Sequence, residues 1–224
     1  MMNDYRLRWY HRLLSFLKPI RIQTISSLYH PQLDLELYRN EIILGTPAAL
    51  YSVGRSYAPF LKAYKRIGHH LPQVNHFLLL GTGLGSAWAI LRQKYHLNPK
   101  STLVDIDQQI IEFSQEWIGD QSKKVNWICA DAQRFLSSQT EQYDLIGIDI
   151  FKDLYNPDWV YQQAFIREVY ERLTVGGIAI FNYIFQDDFQ KVHTLNVLGN
   201  EFQQFERISH KLNTIVIAKK LLVP

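Results

Sequence analysis

The chain has 224 residues, of which 47% are hydrophobic, 13% aromatic and 20% charged, and its formal net charge is +3. That length and balance predict one globular domain with a small appendage and exclude a disordered chain; the lone Cys129 excludes an internal disulfide framework. No apolar run approaches the roughly 18–20 residues of a spanning helix, Arg6, Arg8, Arg12, Lys18 and Arg21 interrupt any secretory leader, and so small a net charge gives no reason to expect nucleic acid, so a cytoplasmic protein without a membrane span is expected.

Residues 5–18 read as a basic amphipathic helix, with Trp9, Leu13, Phe16 and Leu17 on one side and Arg6, Arg8, Arg12 and Lys18 elsewhere. Such a helix is expected to dock on its own domain or on a second subunit, giving a homodimer through this segment, rather than on a membrane. Residues 20–28, 33–38 and 41–44 alternate in polarity and are separated by His30-Pro31 and Arg39-Asn40, which predicts a small antiparallel meander. Residues 58–67 follow as a helix. The character changes near residue 70, so residues 1–70 are expected to form an N-terminal helix and β-rich extension, and residues 71–224 a second domain.

There the rhythm becomes strand, helix, strand, helix. Strands are expected at 76–80, 102–105, 125–129, 143–149 and 178–183, with helices at 86–95, 108–117, from about 131, and at 159–173. Gly176-Gly177 is expected to turn the chain into the fifth strand. This alternation builds βαβ units and a parallel sheet covered on both faces. Residues 202–209 and 212–218 are separated by only two residues, too few for a parallel crossover, and must form an antiparallel hairpin. The predicted fold is α/β: a Rossmann-like, doubly wound, seven-stranded sheet with a C-terminal antiparallel hairpin behind a small N-terminal meander.

The chemistry-bearing positions fall at strand ends. Gly81-Thr82-Gly83-Leu84-Gly85-Ser86 joins the first parallel strand to its helix, where glycines permit positive φ and close approach of a ligand to the backbone. Asp105 ends the second strand, 20 residues beyond Gly85, where an acid can bond ribose hydroxyls. Asp107 points away or caps the next helix. Asp131 follows the third strand and either accepts from an adenine amino group or caps the helix behind it. Asp149 closes the fourth strand at the expected switch point, where a carboxylate can orient or deprotonate an attacking amine. The eight histidines show no metal-ligand spacing, so no metal is expected. Cys129 is expected to fill space in a buried strand.

Residues 76–183 resemble a class I S-adenosylmethionine-dependent transferase and, more narrowly, the spermidine synthase-like group. LLLGTGLGSA resembles the group's glycine motif, LVDID its ribose-acid motif, CADA its adenine motif, YDLIGIDIF its catalytic strand and LTVGGIAIFNY the end of its fifth strand. Residues 33–54 resemble the β-rich extension before the domain, so the likeness spans about residues 20–218. The resemblance implies Gly81, Gly83 and Gly85 around the cofactor's amino-acid portion, Asp105 on its ribose and Asp131 near its adenine. It makes Asp149 the catalytic aspartate and places Tyr51 in a polyamine pocket, with Asp153 beside it. The departures are specific. Polyamine aminopropyltransferases carry Asp-Ser-Ser-Asp where this chain has Asp149-Ile150-Phe151-Lys152, and Tyr-His-Glu where it has Tyr51-Ser52-Val53. A polycation needs several carboxylates around its ammonium groups, so these changes point to methyl transfer from S-adenosylmethionine to a small nucleophilic acceptor. The Asn-Pro-Pro-Tyr signature of amino-group methyltransferases is also absent. Aminopropyl transfer from decarboxylated S-adenosylmethionine is the alternative, and a non-catalytic nucleoside-binding module is a third reading.

Overall fold

The computed structural model describes residues 7–46, 50–52, 54–118 and 124–221. A short helix α1 (Trp9–Leu14) leads into β1 (Ile20–Ile25), β2 (Leu33–Tyr38), β3 (Glu41–Gly45) and β4 (Leu50–Ser52), an antiparallel sheet in that order. On β2, Leu33, Leu35 and Leu37 are buried while Asp34 and Glu36 face outward, the period of two that a half-buried strand requires. Arg39 and Asn40, both at positive φ, make the two-residue turn to β3. The extra strand β4 has three residues, too few to carry a pattern. Tyr51 lies on it, and its side chain is outside the described residues.

After α2 (Ala58–Arg66) the chain lays down β5 (His76–Leu80), α3 (Ser86–Gln93), β6 (Lys100–Asp105), α4 (Gln108–Ile118), β7 (Val125–Cys129), α5 (Ala132–Ser138) and β8 (Tyr143–Ile148). Then come α6 (Gln163–Glu171), β9 (Leu173–Tyr183), α7 (Asp188–Glu201), β10 (Gln204–His210) and β11 (Asn213–Lys219). The seven strands lie in the order β7-β6-β5-β8-β9-β11-β10, parallel up to β9 and antiparallel beyond it. Two apolar cores cover the two faces. The strand β5 lies between β6 and β8, so the switch point falls at its C-terminal end, as expected. Among the described residues, no helix is long and apolar enough to cross a membrane.

Several local expectations are corrected. The N-terminal helix is shorter than expected, with no buried residue, so it does not dock its apolar side on this domain. Residues 159–173 are not one helix: a 3-10 turn (Asp158–Tyr161) precedes α6, and Gln162 between them is extended. Gly176 and Gly177 do not start the strand but lie inside β9, within an irregularity where pairing with β8 jumps from Leu173 to Ile178. The helix α7 was not expected, because residues 184–201 mix polar and apolar positions without a clear stripe. The hairpin turn is Lys211-Leu212, one residue later than expected. Cys129 is exposed rather than a core filler, because β7 is an edge strand.

Candidate active site

A cavity of about 720 Å³ opens where β5, β6 and β8 end, with Gly81, Gly83, Asp105, Asp131 and Asp149 on its wall. The sequence pattern therefore brings together these five predicted positions, and Asp153 joins them on the rim. Gly85 lies one turn back, as the N-cap of α3.

The glycine turn is shaped by close contact. Gly81, Gly83 and Gly85 have φ of +79°, +49° and +69°. At Gly81 a Cβ would lie 2.3 Å from the Asp149 carbonyl oxygen, so only glycine lets β5 and β8 deliver their ends side by side. Asp105 clamps this turn. One carboxylate oxygen accepts the Thr82 and Gly83 N–H groups at 2.9 and 3.1 Å, and the other accepts the Asp107 N–H at 3.1 Å. Burial pushes its carboxyl up to about 6, against the pull of those three N–H donors. A ribose would thus meet an acid already engaged in holding the loop.

Asp107 does cap its helix, accepting the Gln109 N–H. Its other oxygen lies 2.9 Å from His30 Nδ1 and accepts the Ser27 hydroxyl, which fastens the β1–β2 loop to the sheet. Against the upward pull of burial, these partners hold the Asp107 carboxyl below its ordinary value. Asp131 is the N-cap of α5, accepting the Arg134 N–H at 3.0 Å, while still facing the cavity. The capping alternative raised by the sequence is therefore realised.

Asp149 has the most elaborate surroundings. Its Oδ1 accepts the Tyr57 hydroxyl and the Asn182 amide, each at 2.8 Å. Asn182 also donates to the Tyr57 oxygen, and Asn213 donates to Asn182 Oδ1. Among the described residues no donor reaches Oδ2. Burial raises the Asp149 carboxyl to about 6, with the two donors pulling the other way. The phenol of Tyr57 is pushed well above its ordinary value, by burial first and by Asp149 second, and so remains a donor. Sequence reasoning missed Tyr57, Asn182, Asn213 and His30. The one available signal was Asn182, a polar residue inside the apolar run Ile178–Tyr183.

Asp153 stands at the rim at a φ of +55°, 3.4 Å from the Thr46 hydroxyl. Lys152 lines the same rim, bonded through its backbone to Tyr155, and Lys211 reaches it from the β10–β11 turn. Neither lysine has a carboxylate partner among the described residues. This half of the cavity is poor in free negative charge.

A match to the family described as the spermine/spermidine synthase domain spans residues 62–216. A probable polyamine aminopropyl transferase of Bifidobacterium longum is 30% identical over 110 residues, covering 48% of this chain and 24% of that protein. A polyamine aminopropyltransferase of Saccharolobus solfataricus is 31% identical over 104 residues, covering 43% of this chain and 33% of that protein. The matches thus span only about a quarter and a third of these two relatives' length. A probable spermidine synthase from Corynebacterium glutamicum shares the fold, with a TM-score of 0.74 at 18% identity over 88% of this chain and 79% of that one.

Proposed function

The chain belongs to the spermine/spermidine synthase domain family, and from that premise we propose that it transfers an aminopropyl group from decarboxylated S-adenosylmethionine to an amine acceptor. The observation that carries the proposal is Asp149, at the switch point beside the glycine turn, with one oxygen locked by Tyr57 and Asn182 and the other facing the cavity. The residues fit a nucleoside donor: the glycine turn leaves room beside the backbone, Ile106, Ile110 and Ala130 offer an apolar wall, and Asp105 and Asp131 flank it.

When bound, the sulfonium donor supplies an activated carbon whose bond to sulfur breaks with the electron pair moving to sulfur. The chain's own task is positioning and proton removal. An amine reaches neutral pH as an ammonium and must lose a proton before it can attack. Asp149 Oδ2 takes that proton, while Tyr57 and Asn182 stabilise the carboxylate through Oδ1 and fix its plane. Asp105 acts through the loop, keeping the Thr82 and Gly83 N–H groups in place. Asp131 lies at the adenine end, Gly81, Gly83 and Gly85 around the aliphatic arm, and Tyr51 and Asp153 toward the acceptor.

Methyl transfer, which Lys152 suggested from the sequence, is not the activity for which these relatives are named, and aminopropyl transfer takes its place. The fold itself serves both chemistries. The test is an incubation with each donor and a panel of amines, read by mass spectrometry. Methylthioadenosine with an aminopropylated amine is expected; a methylated product formed from S-adenosylmethionine alone would overturn the reading.

A further inference from the structure

Amphipathic helices in globular proteins turn their apolar stripe inward. The N-terminal segment does the reverse. At 100° per residue, Trp9, Tyr10, Leu13, Leu14, Phe16 and Leu17 share one arc, and Arg8, His11, Arg12 and Ser15 share the other. The polar arc meets the sheet through Ser15 and the tip of Arg12, while Arg8 and Arg12 themselves stay exposed. Ser15 is fully buried, its carbonyl accepting the Arg39 N–H and its hydroxyl the Asn40 N–H, and Arg12 donates to the Asn40 side chain at 2.7 Å. The apolar arc is left outside, with Trp9 73%, Leu13 61%, Phe16 58% and Leu17 82% exposed.

The surrounding charge has one sign. Residues 7–21 contain Arg8, Arg12, Lys18 and Arg21 and no acid. Asp34 and Glu36 on β2 are taken up by Arg21, and Glu41 on β3 by Arg55. Among the described residues, Arg8, Arg12, Lys18 and the neighbouring Arg39 have no carboxylate partner.

We propose that this outward apolar arc with its unpaired cations is a docking surface for an anionic lipid bilayer. Aromatic and leucine side chains enter the boundary between headgroups and acyl chains, and arginine and lysine pair with lipid phosphates and carboxylates. A second copy fits less well, because face-to-face apposition would bring two acid-free sets of cations together. The hydrogen bonds of Ser15 and Arg12 hold the segment to the β2–β3 turn, so the surface is presented ready formed. The proposal is independent of the transfer reaction.

The test uses the full chain and vesicles of phosphatidylcholine, with or without phosphatidylserine, in co-sedimentation at low and high salt. Binding to the serine-containing vesicles, weakened by salt, is expected. Leu13→Glu with Leu17→Glu, both at exposed positions, should abolish it with an unchanged circular dichroism spectrum. Arg8→Gln and Lys18→Gln should each weaken it about fivefold, the effect of one cation near such a surface. No binding to either vesicle, or equal binding to both, overturns the proposal. So does a dimer in light scattering that Leu13→Glu with Leu17→Glu dissociates, since the arc would then be a self-interface.

Discussion

At the scale of single residues, Asp149 is where the proposed proton transfer can be separated from donor binding. Its Oδ2 faces the cavity, whereas the residues proposed to hold the donor lie on other strand ends. Asp149→Asn should lower turnover by about 10²–10⁴-fold, the usual contribution of a positioned base, and leave donor affinity in calorimetry almost unchanged. The pH dependence follows from its environment. With the carboxyl at about 6, turnover should fall roughly tenfold per pH unit below that value as the base becomes protonated. The Tyr57 hydroxyl lowers this value, so Tyr57→Phe should move the acid limb to higher pH. A limb that stays put would assign the titration to another group. Stability carries the opposite sign: the folded state holds the Asp149 proton more tightly than the unfolded state, where an ordinary value of 3.8 applies. Melting curves of wild type and Asp149→Asn should therefore diverge as pH rises from 3.8 to about 6, with wild type losing ground, and run parallel above. On the side proposed for the acceptor, Lys152 would repel the distal ammonium of a diamine. Lys152→Asp should shift the kcat/KM ratio of putrescine to butylamine upward by about fivefold, since an exposed ion pair contributes up to roughly 1 kcal/mol.

At the scale of elements, the glycine turn shows why strand ends were legible. Gly81 and Gly176 have nearly equal φ, +79° and +83°, but a Cβ at Gly176 meets nothing within 4 Å, whereas one at Gly81 meets the Asp149 backbone. Gly176→Ala should cost only the strain of a left-handed alanine, about 1–2 kcal/mol. Gly81→Ala should cost more in urea unfolding and also displace Asp149, lowering turnover; equal costs would mean that the crowding is relieved by a small shift. Central strands such as β5 and β8 could be read because burial on both faces leaves continuous apolar runs bounded by glycine or aspartate. What could not be read lacked such a pattern. The strand β4 is too short, α7 has no apolar stripe, and α1 has a stripe that faces the wrong way. The site divides similarly. Asp105 ends its strand, Asp149 follows its own directly and Asp131 comes two residues after its own, and all three were found. Tyr57 reaches Asp149 from 92 residues before it, and Asn213, beyond β9, reaches the Asn182 that holds Asp149, all joined only by folding. Local sequence gives no sign of contacts at that separation.

At the scale of the whole molecule, the N-terminal sheet and the side of the cavity proposed for the nucleoside share one core. Ile22, Leu33, Leu35, Leu37 and Leu44 of the meander pack with Leu84 from inside the glycine turn and with Ile110 and Phe113 of α4. His30 and Ser27 add polar attachment at Asp107, and His30 also lines the cavity. The sheet is therefore coupled to the residues proposed to shape the donor site, although it contributes none of the predicted glycines or strand-end acids. Two leucines that are both fully buried test this coupling. Leu35 belongs to the shared core, and Leu198 on α7 to a separate core that includes no residue of the meander. Each truncation to alanine should cost about 2–5 kcal/mol, as buried leucines do. Only Leu35→Ala should also weaken binding of decarboxylated S-adenosylmethionine, because the cavity it leaves lets Leu84 and Ile110 move and the loop held by Asp105 move with them. Calorimetry at a temperature where both variants are folded separates the two effects. Equal affinities in Leu35→Ala and Leu198→Ala would show that the meander stabilises the protein without shaping the donor site.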